Sequence, residues 1–363
     1  MEDRIKGSVV AKFLGDAIGA PYEFVYNRKL PYSDVITLST RHRSRWQGER
    51  NTPPGQVTDD SEMTIALMLS LLDRDEYDAK EATRRYIEWV NSGTYMLGIN
   101  TRVLFKGIKA KKLEKQLDTF TKRYTKKFDH APQLTTSSMT RFQQVREDAT
   151  QSNGSLMRCS PLAVFESDEP ALIDCQLTNP TDVNRDASLV YTHAIRACFK
   201  GERSKKRVFI QAKRAAQTDA IIEALTDARE GNSERDIAIK NKGWVAHAIY
   251  ATFYAFLHFD DFPSAMRWIV QEKSGDTDTN AAIAGALIGA YYGYEALMAD
   301  ETTAQNWKIV CEVDTSKGDN PRNDQYHPRN IDHLIARLCA IAKIQLEAVE
   351  EDDDSGGKRR RCV

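Results

Sequence analysis

Small residues recur every four positions on two separate stretches of this 363-residue chain, and few patterns constrain a fold more. Gly7, Ala11, Gly15 and Gly19 form the first series, and Ala281, Gly285, Gly289 and Gly293 form the second. Residues four apart share one face of an α-helix, so each stretch presents a stripe without bulky side chains. A glycine inside a helix costs roughly 1 kcal/mol against alanine. Its repeated use therefore implies close backbone approach between helices. These glycines read first as tight core packing, and they place Asp16 and the Asp276 cluster on centrally buried helices.

The rest of the chain reads the same way. Apolar residues recur at helical spacing in 5–20, 61–72, 79–90, 189–199, 243–257, 263–270, 280–294 and 331–349. Alternating runs are short and scattered. The expected class is all-α, with ample chain for a buried core. Charge is balanced, with 51 Lys+Arg against 52 Asp+Glu, so nothing global calls for nucleic acid or an anionic membrane. Six cysteines show no CxxC spacing and read as reduced thiols. Neither a signal peptide nor an apolar run of membrane-spanning length is seen, so a soluble cytoplasmic protein is expected. No heptad seam requires a partner, and a monomer is expected.

Two carboxylate clusters carry the chemistry. Thr58-Asp59-Asp60 and Asp276-Thr277-Asp278-Thr279 each run directly into an apolar helical stretch. One Asp or Thr at a helix start caps orphan backbone N–H groups, and ordinary capping is the bland reading of either cluster alone. Several carboxylates at one terminus exceed what capping needs. If the clusters meet, hard divalent cations with oxygen ligands offset their repulsion.

Loops hold the remaining candidates. Gly15-Asp16-Ala17-Ile18-Gly19-Ala20-Pro21-Tyr22-Glu23 closes the first helix, with Pro21 stopping it. Ser152-Asn153-Gly154-Ser155 is a small polar turn whose backbone N–H groups suit a phosphate. His193 sits inside a helical run, where a lone histidine is more often a satisfied core residue than a ligand. The stretches 106–127 and 200–214 are basic. A solvated helical face is the simpler reading, and a positive rim that draws in a phosphate-bearing substrate is the functional one. Residues 350–363 form an acidic-then-basic tail expected to be disordered, whose basic end suits nuclear import.

In order, GDAIGAPYE (15–23), GQVTDDSEMTIAL (55–67), SNGSLMRCSPLAVF (152–165), TH (192–193) and the long block 243–293 resemble the ADP-ribosylglycohydrolase family. That resemblance covers roughly residues 5–310. It implies an orthogonal multi-helix bundle with two Mg²⁺ or Mn²⁺ ions in a central cleft. Residues 1–349 would then form one such domain, with basic insertions near 106–147 and 200–242. The resemblance implies Thr58, Asp59, Asp60, Asp276, Asp278 and Thr279 as metal ligands, at the roughly 3.5–4 Å ion spacing of two-metal sites. Asp59 or Asp60 would serve as catalytic base, with Glu23 on a gating loop beside the metals. Asn153, Gly154 and Ser155 would hold the diphosphate and its ribose. His193 would touch substrate, and Gly98-Ile99-Asn100-Thr101 would form a further substrate loop.

The activity implied is hydrolysis at the distal ribose C1″ of ADP-ribose attached to a protein side chain or another acceptor. Two rival readings stand beside it: a non-catalytic ADP-ribose-binding or structural relative, and a metal-dependent phosphohydrolase cleaving the diphosphate. One departure concerns the loop before the second cluster. The family usually carries Gly-Gly-Asp there, and this chain has Ser274-Gly275-Asp276. A positive φ at Ser274 would tighten or tilt that loop.

Overall fold

The computed structural model describes residues 1–24, 30–44, 48–94, 96–105 and 151–347. Its helices run in order: α1 (Glu2–Gly19), α2 (Asp59–Ser70), α3 (Ala79–Asn91), α4 (Ile99–Phe105), α5 (Glu169–Thr178), α6 (Asp182–Phe199) and α7 (Lys205–Ala215). They continue with α8 (Asp219–Glu230), α9 (Val245–His258), α10 (Phe262–Arg267), α11 (Thr277–Tyr292), α12 (Tyr294–Met298), α13 (Glu301–Glu312) and α14 (Asp332–Ala342). The all-α expectation holds. The lysine-rich stretch after residue 105 and the tail lie outside the described residues.

The two small-residue stripes pack on each other, antiparallel. A Cβ added at Gly7 would stand 2.5 Å from the Gly289 carbonyl oxygen, and one at Gly285 would stand 2.3 Å from that of Ala11. A Cβ at Gly15 would reach 2.2 Å from the Ala281 oxygen, and one at Gly19 2.5 Å from that of Thr277. Backbone therefore meets backbone along four turns of α1 and α11, at a distance no larger residue permits. Val10, Phe13, Leu14, Ile283 and Leu287 fill the flanks and are fully buried. The Tyr191 hydroxyl of α6 donates to the Ile283 carbonyl at 2.8 Å. An antiparallel pair sets the C-terminal end of α1 beside the N-terminal end of α11. That juxtaposition brings Asp16 and the Asp276 cluster together.

A small antiparallel hairpin, β1 (Thr40–Ser44) with β2 (Gly48–Thr52), was not signalled by alternation. Its strands read TRHRS and GERNT, without an apolar residue between them. Part of its support comes from far along the chain. The Asp319 N–H donates to the Asn51 carbonyl at 2.8 Å, and the Asn51 N–H to Asp319 Oδ2 at 2.9 Å. The basic stretch 200–214 lies largely on α7, which buries Val208, Phe209 and Ala212 and turns its basic residues outward. This matches the solvated-face reading.

Candidate metal centre

Helix α2 begins at the clusters' meeting point, and its cap comes from another helix. Thr58, the N-cap residue, makes no side-chain cap of its own. Asp16 of α1 does that work, accepting from the Thr58 N–H at 3.0–3.1 Å, the Ser61 N–H at 3.1 Å and the Ser61 hydroxyl. The Thr58 hydroxyl lies 2.8 Å from Asp16 Oδ1 and 3.1 Å from Asp60 Oδ2. With the orphan donors served from outside, Asp59 and Asp60 are released from capping. The bland reading of the first cluster therefore fails.

The second cluster is similar. Asp276 is the N-cap residue of α11, yet its side chain does not cap that helix. Its Oδ2 accepts instead from Asn153 Nδ2 at 2.8 Å. Asp278 Oδ1 accepts from the Thr279 N–H at 2.9 Å, and the Thr279 hydroxyl lies 3.4 Å from Asp60 Oδ2. The two clusters, more than two hundred positions apart, share a hydrogen-bond network.

Two groups of three carboxylates result, and Asp278 belongs to both. Ligand oxygens of Asp16, Asp60 and Asp278 lie within 4.8 Å of one another, as do those of Glu23, Asp276 and Asp278. Asp60 Oδ1 is buried with no hydrogen-bond partner. A buried, unpartnered carboxylate oxygen costs free energy unless a cation completes its shell. The set is all hard oxygen, which suits Mg²⁺ or Mn²⁺ rather than a soft metal. The residues present fit such ions.

Charge repulsion is visible in the protonation equilibria. Asp59, Asp60, Asp278 and Glu23 all hold their protons well above the usual carboxylate range. Loss of hydration is the first cause in each, reinforced by Asp60 for Asp59, Asp16 for Asp60, Glu23 for Asp278 and Asp276 for Glu23. Asp276 is raised less, because the Asn153 amide favours its charged form. The N-termini of α2 and α11 both end here, and their dipoles favour negative charge.

The substrate-loop candidates divide. Asn153 reaches the cluster directly, and its N–H donates to the Gly243 carbonyl at 2.8 Å. Gly154 follows, its carbonyl accepting from Arg158 at 2.8 Å. Ser155 is fully buried, its hydroxyl 3.5 Å from the Cys175 sulfur. Gly98 precedes Asn100, whose amide lies 3.4 Å from the Ser152 hydroxyl, so this segment does join the loop.

His193 does not join it. Its Nε2 lies 2.8 Å from Asp168 Oδ1, and Arg196 donates to the same oxygen at 3.0 Å. The stripe Arg185, Leu189 and His193 runs along the flank of α6, while Ala187, Tyr191 and Ile195 face the core.

Several residues were missed. Asn179 Nδ2 donates to the Ser152 carbonyl at 3.0 Å, and Asn184 Nδ2 to the same atom at 2.7 Å. Arg158, fully buried, pairs with Asp174 at 2.9 Å, and Asp174 also accepts from Tyr86 at 2.7 Å. Glu62, two residues past Asp60, binds Arg322 through both carboxylate oxygens at 2.7 and 2.9 Å and takes the Trp89 N–H at 2.7 Å. Charged residues inside apolar helical runs were the available signal. The Ser274 φ is +60° with ψ −162°, a region that belongs almost wholly to glycine.

The ADP-ribosylglycohydrolase family model matches residues 1–311. The chain is 25% identical over 325 residues to an ADP-ribosyl-[dinitrogen reductase] glycohydrolase of Rhodospirillum rubrum, covering 86% of this chain and 94% of that protein. It is 22% identical over 358 residues to the ADP-ribosylhydrolase ARH3 of Homo sapiens, covering 85% and 89%. A solved ADP-ribosylglycohydrolase-related protein complex shares the fold, with a TM-score of 0.58 over 85% of this chain and 97% of that one, at 23% identity.

Proposed function

Because the chain belongs to the ADP-ribosylglycohydrolase family of hydrolases, we propose that it cleaves the bond between the distal ribose C1″ of ADP-ribose and an acceptor, in a reaction that depends on divalent metal. An ADP-ribosylated protein is the expected substrate. The observation that carries the reading is the pair of carboxylate triads sharing Asp278. Asp16, Asp60 and Asp278 would hold one ion, and Glu23, Asp276 and Asp278 the other, with the hydroxyls of Thr58 and Thr279 alongside. When bound, the ions would supply positive charge toward the ribose hydroxyls and the attacking water.

The chain's own residues do the rest. Asn153 fixes Asp276 and presents the loop that would carry the diphosphate, while Arg158, Asn179 and Asn184 hold that loop's carbonyls. Asp59 is more open than Asp60 and is the better placed base. It would take the water proton as oxygen bonds to C1″ and the acceptor leaves, and return a proton to that acceptor. Two metal-free carboxylates on either side of the sugar, the common glycosidase plan, are not the pattern here.

The experiment is product analysis by mass spectrometry on ADP-ribosylated substrates, with Mg²⁺, with Mn²⁺ and with EDTA. Intact ADP-ribose released only with metal is expected. AMP as product, or undiminished release in EDTA, would overturn the reading.

A further inference from the structure

Three consecutive carbonyls of the loop at 152–155 are held by donors from within the protein. The Ser152 carbonyl accepts from Asn179 Nδ2 at 3.0 Å and from Asn184 Nδ2 at 2.7 Å. The Asn153 carbonyl accepts from the Met157 N–H at 2.9 Å, and the Gly154 carbonyl from Arg158 Nη1 at 2.8 Å. In a trans peptide the N–H points opposite to the preceding C=O. Fixing these carbonyls therefore turns the N–H groups of Gly154 and Ser155 away from Met157 and Arg158, an arrangement that suits an anion.

One hydroxyl joins two of these grips. Thr178, buried at the end of α5, accepts from Arg158 Nη1 at 2.9 Å and donates to Asn179 Oδ1 at 2.7 Å. The direction is forced, because a guanidinium only donates and an amide oxygen only accepts. With Oδ1 engaged, the Asn179 amide presents Nδ2 to the Ser152 carbonyl at 3.0 Å and to the Ser152 hydroxyl at 3.1 Å. Arg158 is itself set by Asp174, whose carboxylate takes its Nε at 2.9 Å and whose backbone carbonyl takes its Nη2 at 2.8 Å. The Thr178 carbonyl accepts from Asn100 at 3.3 Å, so the Gly98-Ile99-Asn100-Thr101 segment meets the same residue.

We propose that Thr178 is a positioning residue for substrate binding: its hydroxyl sets the Asn179 amide and so orders the loop at 152–155 for the anionic diphosphate of the substrate. The inference rests on the ADP-ribosyl reading above. The side-chain hydrogen bonds of Thr178 go to Arg158 and Asn179, so its effect reaches a ligand through the loop. Without the hydroxyl, Arg158 loses an acceptor and Asn179 Oδ1 loses a donor. A reversed amide would set Oδ1 against the Ser152 carbonyl, oxygen to oxygen, and the order of the loop falls. A loop no longer fixed in its binding form holds a ligand more weakly, since its ordering is then subtracted from the affinity.

The test is calorimetric titration of Mn²⁺-loaded protein with ADP-ribose, beside thermal unfolding and Mn²⁺ binding for each variant. Thr178→Val removes the hydroxyl at similar volume and should weaken ADP-ribose binding by about tenfold. Thr178→Ala should do the same. Thr178→Ser, which differs from Thr178→Ala by the hydroxyl alone, should restore the affinity to within about twofold of the wild type. Mn²⁺ affinity should change by less than about threefold in all three. A role in stability alone would lower Tm and leave ADP-ribose affinity, read well below Tm, where it was. Unchanged ADP-ribose affinity in Thr178→Val, or Thr178→Ser as weak as Thr178→Ala, would overturn the role of the hydroxyl. Parallel losses of Mn²⁺ and ADP-ribose would overturn it too, by moving the effect to the metal centre. A wild type that binds ADP-ribose but hydrolyses no conjugate would overturn the proposed activity and leave this inference standing. One that binds no ADP-ribose would overturn both.

Discussion

Replacing Gly15 by alanine tests the link between the helix pairing and the metal centre. The added Cβ would stand 2.2 Å from the Ala281 carbonyl oxygen, 2.5 Å from its carbonyl carbon and 3.0 Å from the Ala282 nitrogen. Comfortable non-bonded separation is about 3.5 Å, so α1 and α11 would have to part locally by roughly 1 Å. All three neighbours are backbone atoms, and no side-chain rotation relieves the clash. Overpacking of a core costs about 1–3 kcal/mol, and the rigid neighbours here put the cost at the upper end. Alanine returns about 1 kcal/mol of helix propensity. The net loss is about 2 kcal/mol, a fall in Tm of roughly 3 °C for a domain of this length. Asp16 is the next residue, and Ala281 is two past Thr279, so the same parting displaces carboxylates of the shared centre. Calorimetry of thermal unfolding and of Mn²⁺ binding would therefore show lower Tm and weaker metal binding together. Gly98→Ala is the control, because its Cβ meets no described atom within 4 Å. A Gly15→Ala protein as stable as the wild type would refute the close-approach argument. A large loss of stability with metal affinity intact would refute the coupling to the site.

Three further outcomes are expected. Asp59, Asp60, Asp278 and Glu23 hold protons more tightly folded than unfolded, so the metal-free protein should be most stable at low pH. That stability should drain away as pH rises from about 4 through the raised values, and bound metal should reverse the trend; a chelated protein that melts higher at neutral pH than in mild acid would refute this. Arg322→Met strands the buried Glu62 charge and should cost about 3–5 kcal/mol, whereas the Glu62→Gln/Arg322→Met double variant should recover much of it in denaturant titrations. Ser274→Gly should raise stability by about 1 kcal/mol, since strain of about 1–3 kcal/mol is relieved against the smaller entropic cost of glycine.

Legibility in the sequence followed the range of the interactions. The small-residue stripes announced close helix packing, because the four-residue spacing is local. Their pairing with each other needed the structure. The clusters at 58–60 and 276–279 were legible as an excess over capping. Their convergence was not derivable from spacing, and it rested on the family resemblance until the antiparallel α1–α11 pair put both ends together. Asp16 shows the limit clearly. It was recognised as buried, but its function as the cap of α2 depends on donors 42 and 45 residues away. No local pattern encodes that. The polar hairpin was invisible for the same reason, since Asp319 supports it from 268 residues away.

His193 lies in surroundings that its motif letters did not describe, against Asp168 and beside Arg196. It lies two residues from Tyr191 and Ile195, so it points away from the core stripe of Ala187, Tyr191 and Ile195 and meets Asp168 on the flank of α6. Asn179, ahead of α6, and Asn184, in its first turn, are the side chains that reach the Ser152 carbonyl. Lys12 presents the complementary case. A lone charge inside the apolar run of α1 would ordinarily count against burial, since an unpaired ammonium is costly there. It is tolerated where its amine donates to the Met157 carbonyl and Asp16 follows one helical turn later on the same face of α1. Burial lowers this lysine's hold on its proton while Asp60 and Asp16 raise it, so its protonation and theirs depend on one another.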